Sequence, residues 1–454
     1  MGEKLSAWIA RIGAPAFRRI YRFDRALRRR LTPAGWLLAG LFVLTMIFGF
    51  NTREAAIYQL FGLTVALFAV AMVAAFRLPL APRVRRKLPE IATAGVAFDY
   101  TVKILSGASR AYDGLVVEDL LALPPADPAA FARYKVSADR TRNVFDRLVG
   151  YPRWVAFMRE RIGATIEAVD LGVLAPGGER EVLMRCTPIR RGVLEFQAVR
   201  VTRPEPLGLL KSQAMHELPG TLLVMPRTHP VAPLDLPGSR RLQPGGVAFA
   251  GRVGEAEEFV SLRDYRSGDT PRRIHWKAWA RTGRLVVKEY QDEFFVRHAL
   301  ILDTFGDGDS ERFEAAVSIA ASHVMQPRSN DALLDLMFVE GQAYTLTQGR
   351  GLGAPGELLR VLATVGPSHG AGFLGLAEAV ELAAHRLSGA ICVLLAWDEP
   401  RRRLIATLRA RGIPVRVWLV AVDGESPEAG PMAADASHFR VVRPAHVAAE
   451  LARP

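Results

Sequence analysis

The sequence predicts a multi-domain chain: an N-terminal pair of apolar helices, a β-rich sandwich-like module, and a C-terminal α/β unit built on a parallel sheet. Three observations predict it. Two apolar runs, Leu31 to Phe50 and Ala55 to Phe76, stand between basic flanks. Residues 88–225 hold short apolar segments separated by Gly and Pro, the pattern of a β-sandwich. From His298 onward apolar strands alternate with helical segments, as in a parallel sheet covered on both faces.

The N-terminal pair follows from hydropathy and charge together. The formal net charge is +13, of which residues 1–30 carry +7 and residues 77–87 carry +5, so residues 88–454 are left with +1. A nucleic-acid binder spreads its excess over its folded domain, so nucleic acid is excluded as a partner. Residues 1–30 are a basic tail, and 31–87 a transmembrane hairpin with a basic flank. Each apolar run (about 31–50 and 55–76) is long enough to cross a hydrocarbon layer of about 30 Å. The link Asn51-Thr52-Arg53-Glu54 permits only a hairpin, and Trp36 and Tyr58 stand near the ends, where aromatic belts form. The positive-inside rule then puts both basic flanks, both termini and the folded domains in the cytoplasm, with the lipid bilayer as the first partner. The two cysteines, Cys186 and Cys392, suit a reducing compartment and are read as unpaired.

In the sandwich-like module (88–225), Val96 to Ile104, Gly114 to Leu120, Arg180 to Cys186, Val193 to Val201 and Thr221 to Val224 read as strands. A helical, Arg-rich insertion covers about 124–170. Within it Tyr151 to Gly163 is an amphipathic helix that either covers the sandwich or lies on a membrane face or a partner. Residues 226–297 are a Pro/Gly linker followed by the densest motif in the chain, and 298–454 form the α/β unit.

That motif runs from Glu258 to Glu293 and holds eight Arg and Lys between Arg263 and Lys288. Phe259 to Tyr265 reads as a strand, Arg266 to Asp269 as a turn using Gly268, and Arg272 to Thr282 as a helix capped by Thr270 and stopped by Gly283. Arg272, Trp276 and Trp279 then share one helix flank, and Arg273, Lys277 and Arg281 another. Asp264, Asp269, Glu289, Asp292 and Glu293 neutralise many of the arginines.

Glu258-Phe259, Ser261-Leu262-Arg263, Tyr265, Gly268-Asp269, Pro271-Arg272, Ile274, Trp276-Lys277, Ala280-Arg281-Thr282-Gly283 and Val287-Lys288-Glu289 together resemble the signature of the DUF58 family of bacterial membrane proteins. The resemblance implies an immunoglobulin-like sandwich ahead of the signature, where Pro206-Leu207-Gly208-Leu209 follows Glu205 in place of the usual Asp. It implies a von Willebrand factor A-like α/β domain after it and a place in the inner membrane as a multi-pass protein. It further implies partnership with a MoxR-type AAA+ ATPase and a membrane transglutaminase-like protein. The interaction residues it marks are Arg263, Tyr265, Gly268, Asp269, Arg272, Arg273, Trp276, Lys277, Arg281 and Lys288. A-like domains hold Mg²⁺ through Asp-x-Ser-x-Ser and later oxygen ligands. The matching positions are Asp303, Phe305, Asp307 and Asp398, so both serines are replaced, and Thr364 or Ser368 stands off-pattern for the threonine.

No Gly-x-Ser-x-Gly elbow, HExxH or Cys/His metal spacing occurs in the sequence. The reading is therefore a membrane-anchored adaptor without catalytic activity. The alternatives are a hydrolase using the turn around Asp269 and His275, or an anionic-lipid-binding module.

Overall fold

The computed structural model describes residues 2–48, 55–77, 82–107, 111–125, 127–134, 150–232, 241–242, 258–291, 294–306, 310–326, 332–349, 354–368, 372–421, 424 and 427–453. The chain divides into two compact units, Met1–Met225 and Pro226–Pro454. The architecture is mixed α/β with several sheets.

The first unit opens on three helices, α1 (Gly2–Arg30), α2 (Pro33–Phe48) and α3 (Ala55–Arg77). The basic tail is thus a long helix. α3 is long and apolar enough to cross a membrane, and α2 is a shorter apolar helix. They pack side by side, with Phe42 of α2 stacked 5.5 Å from Phe61 and edge-on 6.4 Å from Phe68 of α3. Residues 49–54, which hold most of the predicted link, lie outside the described residues.

Nine strands follow among the described residues: β1 (Arg83–Lys87), β2 (Ile91–Thr93), β3 (Phe98–Leu105), β4 (Tyr112–Leu121), β5 (Ala164–Ile166), β6 (Val169–Leu174), β7 (Glu179–Pro188), β8 (Gly192–Pro204) and β9 (Lys211–Met225). They form a four-stranded sheet in the order β1-β3-β7-β5 and a five-stranded sheet in the order β2-β9-β8-β4-β6. Alternation sorts their side chains: on β7, Val182, Met184 and Cys186 are buried while Leu183 between them is exposed. Val102 and Ile104 from the first sheet share one core with Leu115, Phe196 and Val201 from the second. At about 25 cal/mol per Å² of apolar area buried, that shared core is the main stabilising term.

Two expectations are corrected here. The basic flank 83–87 is strand β1, and Arg86 points into the sandwich. Its Nη1 donates to Asp119 Oδ1 at 2.6 Å, and the Tyr100 hydroxyl donates to Asp119 Oδ2 at 2.7 Å. The Arg86 guanidinium also lies 4.7 Å from the Phe196 ring centroid. Part of the charge assigned to the membrane flank is therefore an internal ion pair. The insertion at 124–170 is helical only at α4 (Pro128–Arg133) and α5 (Tyr151–Ile162) among its described residues, and β5 and the start of β6 fall inside its range. α5 meets the sandwich core through Ile162, but it buries Trp154, Phe157 and Met158 with Phe131 of α4 and with Ala14 and Phe17 of α1.

The hinge between α1 and α2 is held by the loop at 205–210. The Glu205 carboxylate accepts from the amides of Leu207, Leu209 (2.7 Å) and Leu210 (3.2 Å). The loop so fixed receives the Thr32 amide at the Leu209 carbonyl (3.1 Å), and the Thr32 hydroxyl in turn accepts from Gly35 N at 3.0 Å. A Cβ on Gly35 would lie 2.1 Å from Leu209 O, so no side chain fits there. Ser212 Oγ donates to the Ala75 carbonyl of α3 at 3.0 Å. The start of α2 is therefore tied to this loop and the end of α3 to the start of β9 that follows it.

In the second unit, residues 226–232 are not a free linker: Ser318 Oγ donates to Arg227 O at 2.9 Å and Ala232 N donates to Leu451 O at 2.9 Å. A short strand β10 (Arg241–Leu242) precedes the motif's β-hairpin, β11 (Glu258–Asp264) and β12 (Val286–Gln291), which encloses helix α6 (Trp276–Thr282). The main sheet runs β15-β14-β13-β16-β17-β18, where β13 is Phe294–Leu302, β14 Ala332–Glu340, β15 Gln342–Gln348, β16 Gly389–Leu394, β17 Val415–Val420 and β18 Phe439–Val442. Along this order all neighbours are parallel except β14 and β15, a hairpin whose second strand the sequence reading did not anticipate, and β10 pairs antiparallel with β13. α7 (Ser310–Met325), α8 (Pro355–Thr364) and α11 (Val447–Leu451) cover one face, with Phe313, Val317, Leu362 and Leu451 in its core. α9 (Phe373–Ala383) and α10 (Glu399–Ala410) cover the other, with Leu376, Val380 and Ile405. β16 and β17 are buried along their whole length, β16 as an unbroken apolar run and β17 with Arg416 as its charged residue.

Candidate functional site

Two places in the second unit carry the residues marked by the sequence. The first is the hairpin β11–α6–β12. Its turn is locked by one acid: Asp269 accepts from Arg263 Nη1 at 2.8 Å and Nη2 at 2.7 Å, and from the Arg266 amide at 2.8 Å. The fork-on-carboxylate geometry and the extra amide favour the charged form. Arg263 first, then the Arg266 amide, pull the Asp269 carboxyl down to about 2. Gly268 sits at φ 107°, a conformation that favours glycine, so the turn needs it.

The long helix expected from Arg272 to Thr282 is broken. Pro271–Arg273 form one 3-10 turn, Ile274 is extended and bridges to Val287, and only Trp276–Thr282 is α-helical. The reason is pairing across the hairpin: the His275 amide donates to Val286 O at 2.9 Å, which holds the chain on β12. His275, not Thr270, caps the helix, its Nδ1 accepting from Ala278 N at 2.9 Å. Arg272 is consequently off the helix that carries the tryptophans. Gly283 ends the helix in the left-handed conformation, as expected.

What this element presents is aromatic. Trp276 and Trp279 meet edge-on with ring centroids 5.8 Å apart, and both are exposed, at 55% and 43%. Leu262, Tyr265 and Leu285 are exposed as well. Arg272, Lys277 and Arg281 are exposed, and Lys288 is half-buried. The backbone of Arg273 is described but its side chain is not. The side chain of Glu289 and all of Asp292 and Glu293 lie outside the described residues, so of the neutralising acids Asp269 is the one with a located partner.

The second place is the carboxyl end of the main sheet. Asp303, just after β13, is fully buried. Its Oδ1 accepts from Phe305 N at 3.0 Å, and its Oδ2 accepts from Leu395 N at 3.0 Å and from Arg401 Nε at 2.7 Å. Asp398 caps α10 through Arg401 N and accepts from Arg401 Nη1 at 2.6 Å. Arg401 Nη2 donates to Phe305 O at 2.6 Å, and the guanidinium lies 4.4 Å from the Phe373 ring centroid. Burial pushes the Asp303 carboxyl up, while Arg401 and the two amides oppose that push.

The structure therefore brings Asp303 and Asp398 together, but around a guanidinium. These residues do not fit a hard cation, because the oxygens that would ligate it already accept from Arg401 and from backbone amides. Asp307 lies outside the described residues. Thr364 bonds back to its own helix at Val361 O (3.1 Å). Thr304 and Ser368 both donate to Val339 O, at 2.6 and 2.7 Å. Arg401 was missed in the sequence because it sits in the run Arg401-Arg402-Arg403; its spacing three residues after Asp398 is the one signal that singles it out.

Residues 261–431, which hold both places, match the family described as "Protein of unknown function DUF58". "Uncharacterized protein YeaD" of Bacillus subtilis is 31% identical over 146 residues, covering 32% of this chain and 35% of the relative. The match thus spans about a third of that relative's length. Among solved structures, proximal thread matrix protein 1 from the mussel byssus aligns at a TM-score of 0.28 and 10% identity, over 35% of this chain and 44% of that one. The CARDB domain of a Pyrococcus furiosus protein aligns at 0.17 and 11%, over 32% of this chain and 97% of that one. Over residues 261–431, which hold most of its signature, the chain is similar to the DUF58 family.

Proposed function

We propose that this protein is a membrane-anchored docking protein of the cytoplasmic face, whose signature hairpin receives a protein partner. The observation that carries the reading is the edge-on pair Trp276 and Trp279, exposed on a hairpin that also exposes Tyr265, Leu262, Leu285, Arg272, Lys277 and Arg281. Aromatic side chains and arginine are the residues that anchor protein interfaces. A rigid base under them, the Arg263–Asp269 lock, reduces the ordering cost of binding.

In this reading α2 and α3 are a transmembrane hairpin, the two packed sheets are an immunoglobulin-like module, and the α/β unit is von Willebrand A-like. The partner is a MoxR-type AAA+ ATPase, with a membrane transglutaminase-like protein as a second candidate. Mg²⁺ has no part in it, because Arg401 holds the position between the carboxylates. No catalytic step is assigned: the carboxylate of Asp269 and Nδ1 of His275, the acid–base candidates of the turn, are engaged in holding the hairpin.

The test is recovery of a purified MoxR-type ATPase by the detergent-solubilised full chain. Recovery by the wild type and loss with Trp276→Ala/Trp279→Ala, at unchanged thermal stability, is expected. No recovery by the wild type sinks the partner assignment.

A further inference from the structure

We propose that α1 is an interfacial helix whose outward face binds anionic phospholipid headgroups. One side of α1 is already used: Ala14, Phe17 and Tyr21 pack against Phe131, Trp154 and Tyr151. A soluble helix would show water a polar surface on the other side. Instead Ala16, Ile20 and Phe23 follow one another at helical spacing and are exposed, Ile20 at 50% and Phe23 at 68%. Exposed Arg19, Arg22 and Arg30 flank that stripe. Apolar side chains bordered by arginines match the boundary between acyl chains and phosphates.

Chain continuity says which occupant this is. Only Leu31 and Thr32 separate α1 from the apolar helix α2. At the same end, the Arg30 guanidinium lies 5.9 Å from the ring of Phe76 in the last turn of α3. The basic end of α1 is therefore level with the end of the apolar span, where headgroups lie when that span crosses a bilayer. The inference rests on the membrane reading of α2 and α3 proposed above.

The test uses the full chain in nanodiscs of phosphatidylcholine, with and without phosphatidylglycerol. Cys186 and Cys392 are buried, so an environment-sensitive probe reacts at an introduced cysteine. Phe23→Cys reports on α1, and Leu63→Cys, in α3, reports on the span. The Phe23→Cys probe is expected to be shielded from aqueous iodide and quenched by headgroup-level nitroxide lipid when phosphatidylglycerol is present. One basic residue near an anionic surface changes partitioning roughly fivefold, so reversing Arg19, Arg22 and Arg30 to Glu is expected to shift it on the order of a hundredfold. Equal iodide access with and without phosphatidylglycerol, while Leu63→Cys stays shielded, overturns the inference and leaves the membrane reading standing. An accessible Leu63→Cys overturns both. Shielding of Phe23→Cys in native membranes but not in pure lipid overturns it in favour of an acidic protein partner.

Discussion

Replacing Arg401 by Met keeps the aliphatic stem and removes the guanidinium from between Asp303 and Asp398. The magnitude follows from the contacts. Breaking a buried ion pair by deleting one partner costs about 3–5 kcal/mol, because the other charge stays buried. Asp303 is fully buried but keeps the amides of Phe305 and Leu395, which places the loss near the lower end. The Asp398 contact adds little, since that side chain is 48% exposed. Loss of the stacked contact with Phe373 adds about 0.5–1 kcal/mol. The total is about 3–4 kcal/mol, or roughly 6–16 °C in the transition of a unit of this size.

Thermal unfolding of the full chain in detergent, with pulse proteolysis in urea as a second readout, measures it. Asp303→Asn in the Arg401→Met background is expected to recover half or more of the loss, since the uncompensated charge is then gone. Millimolar Mg²⁺ is expected to leave the wild-type transition in place. A loss below about 1 kcal/mol refutes the reasoning, because a removed buried partner cannot be that cheap. So does a Mg²⁺-dependent rise of the wild-type transition, because a ligand that binds the native state must stabilise it.

Arg86→Met is expected to cost about 3–5 kcal/mol by the same logic, read by thermal unfolding, because Arg86 and Asp119 are 4% and 0% exposed. The Asp269 carboxyl, held at about 2 against an ordinary value of about 3.9, contributes stability that is complete above the unfolded value and is lost as pH falls through 2. Its ¹³C carboxyl shift is expected to titrate near pH 2 and to move up toward the ordinary range in Arg263→Ala; titration near 4 in the wild type would contradict the lock. Burial pushes the Cys186 thiol up to about 12 and raises Cys392 as well, so maleimide should label neither until denaturant is added.

The coarse plan of the molecule was legible because its signals are repetitive. An unbroken apolar run gave β16, alternation gave β7, and twenty-odd apolar residues gave α3. What was not legible depends on partners far apart in the chain. Nothing local distinguishes Arg86 from Arg85, yet one neutralises Asp119 thirty-three residues away while the other lies on the alternate side of the strand. The broken helix at Pro271–Thr282 has the same origin: the capping signal at Thr270-Pro271 is genuine locally, but pairing of Ile274 and His275 with β12 outweighs it. The candidate carboxylates Asp303 and Asp398 were placed correctly near one sheet end, and the residue between them was invisible because it came from a run of identical arginines.

Those arginines fall into classes that respond differently to lysine. Arg401 makes three contacts from three nitrogens, to Asp303, Asp398 and Phe305 O, and Arg263 grips both oxygens of Asp269. An ammonium is a compact point charge and cannot hold such a planar set of acceptors at once. The arginines on the outer face of α1 meet phosphates, where a point charge serves almost as well. Arg401→Lys and Arg263→Lys are therefore expected to lose most of what full removal loses, read as the unfolding transition and as the Asp269 titration respectively. Lys at positions 19, 22 and 30 together should leave the phosphatidylglycerol dependence of the Phe23→Cys probe nearly intact. If the triple lysine variant instead loses that dependence, the outer face of α1 requires guanidinium geometry, and forked recognition of the lipid phosphate replaces a point-charge contact.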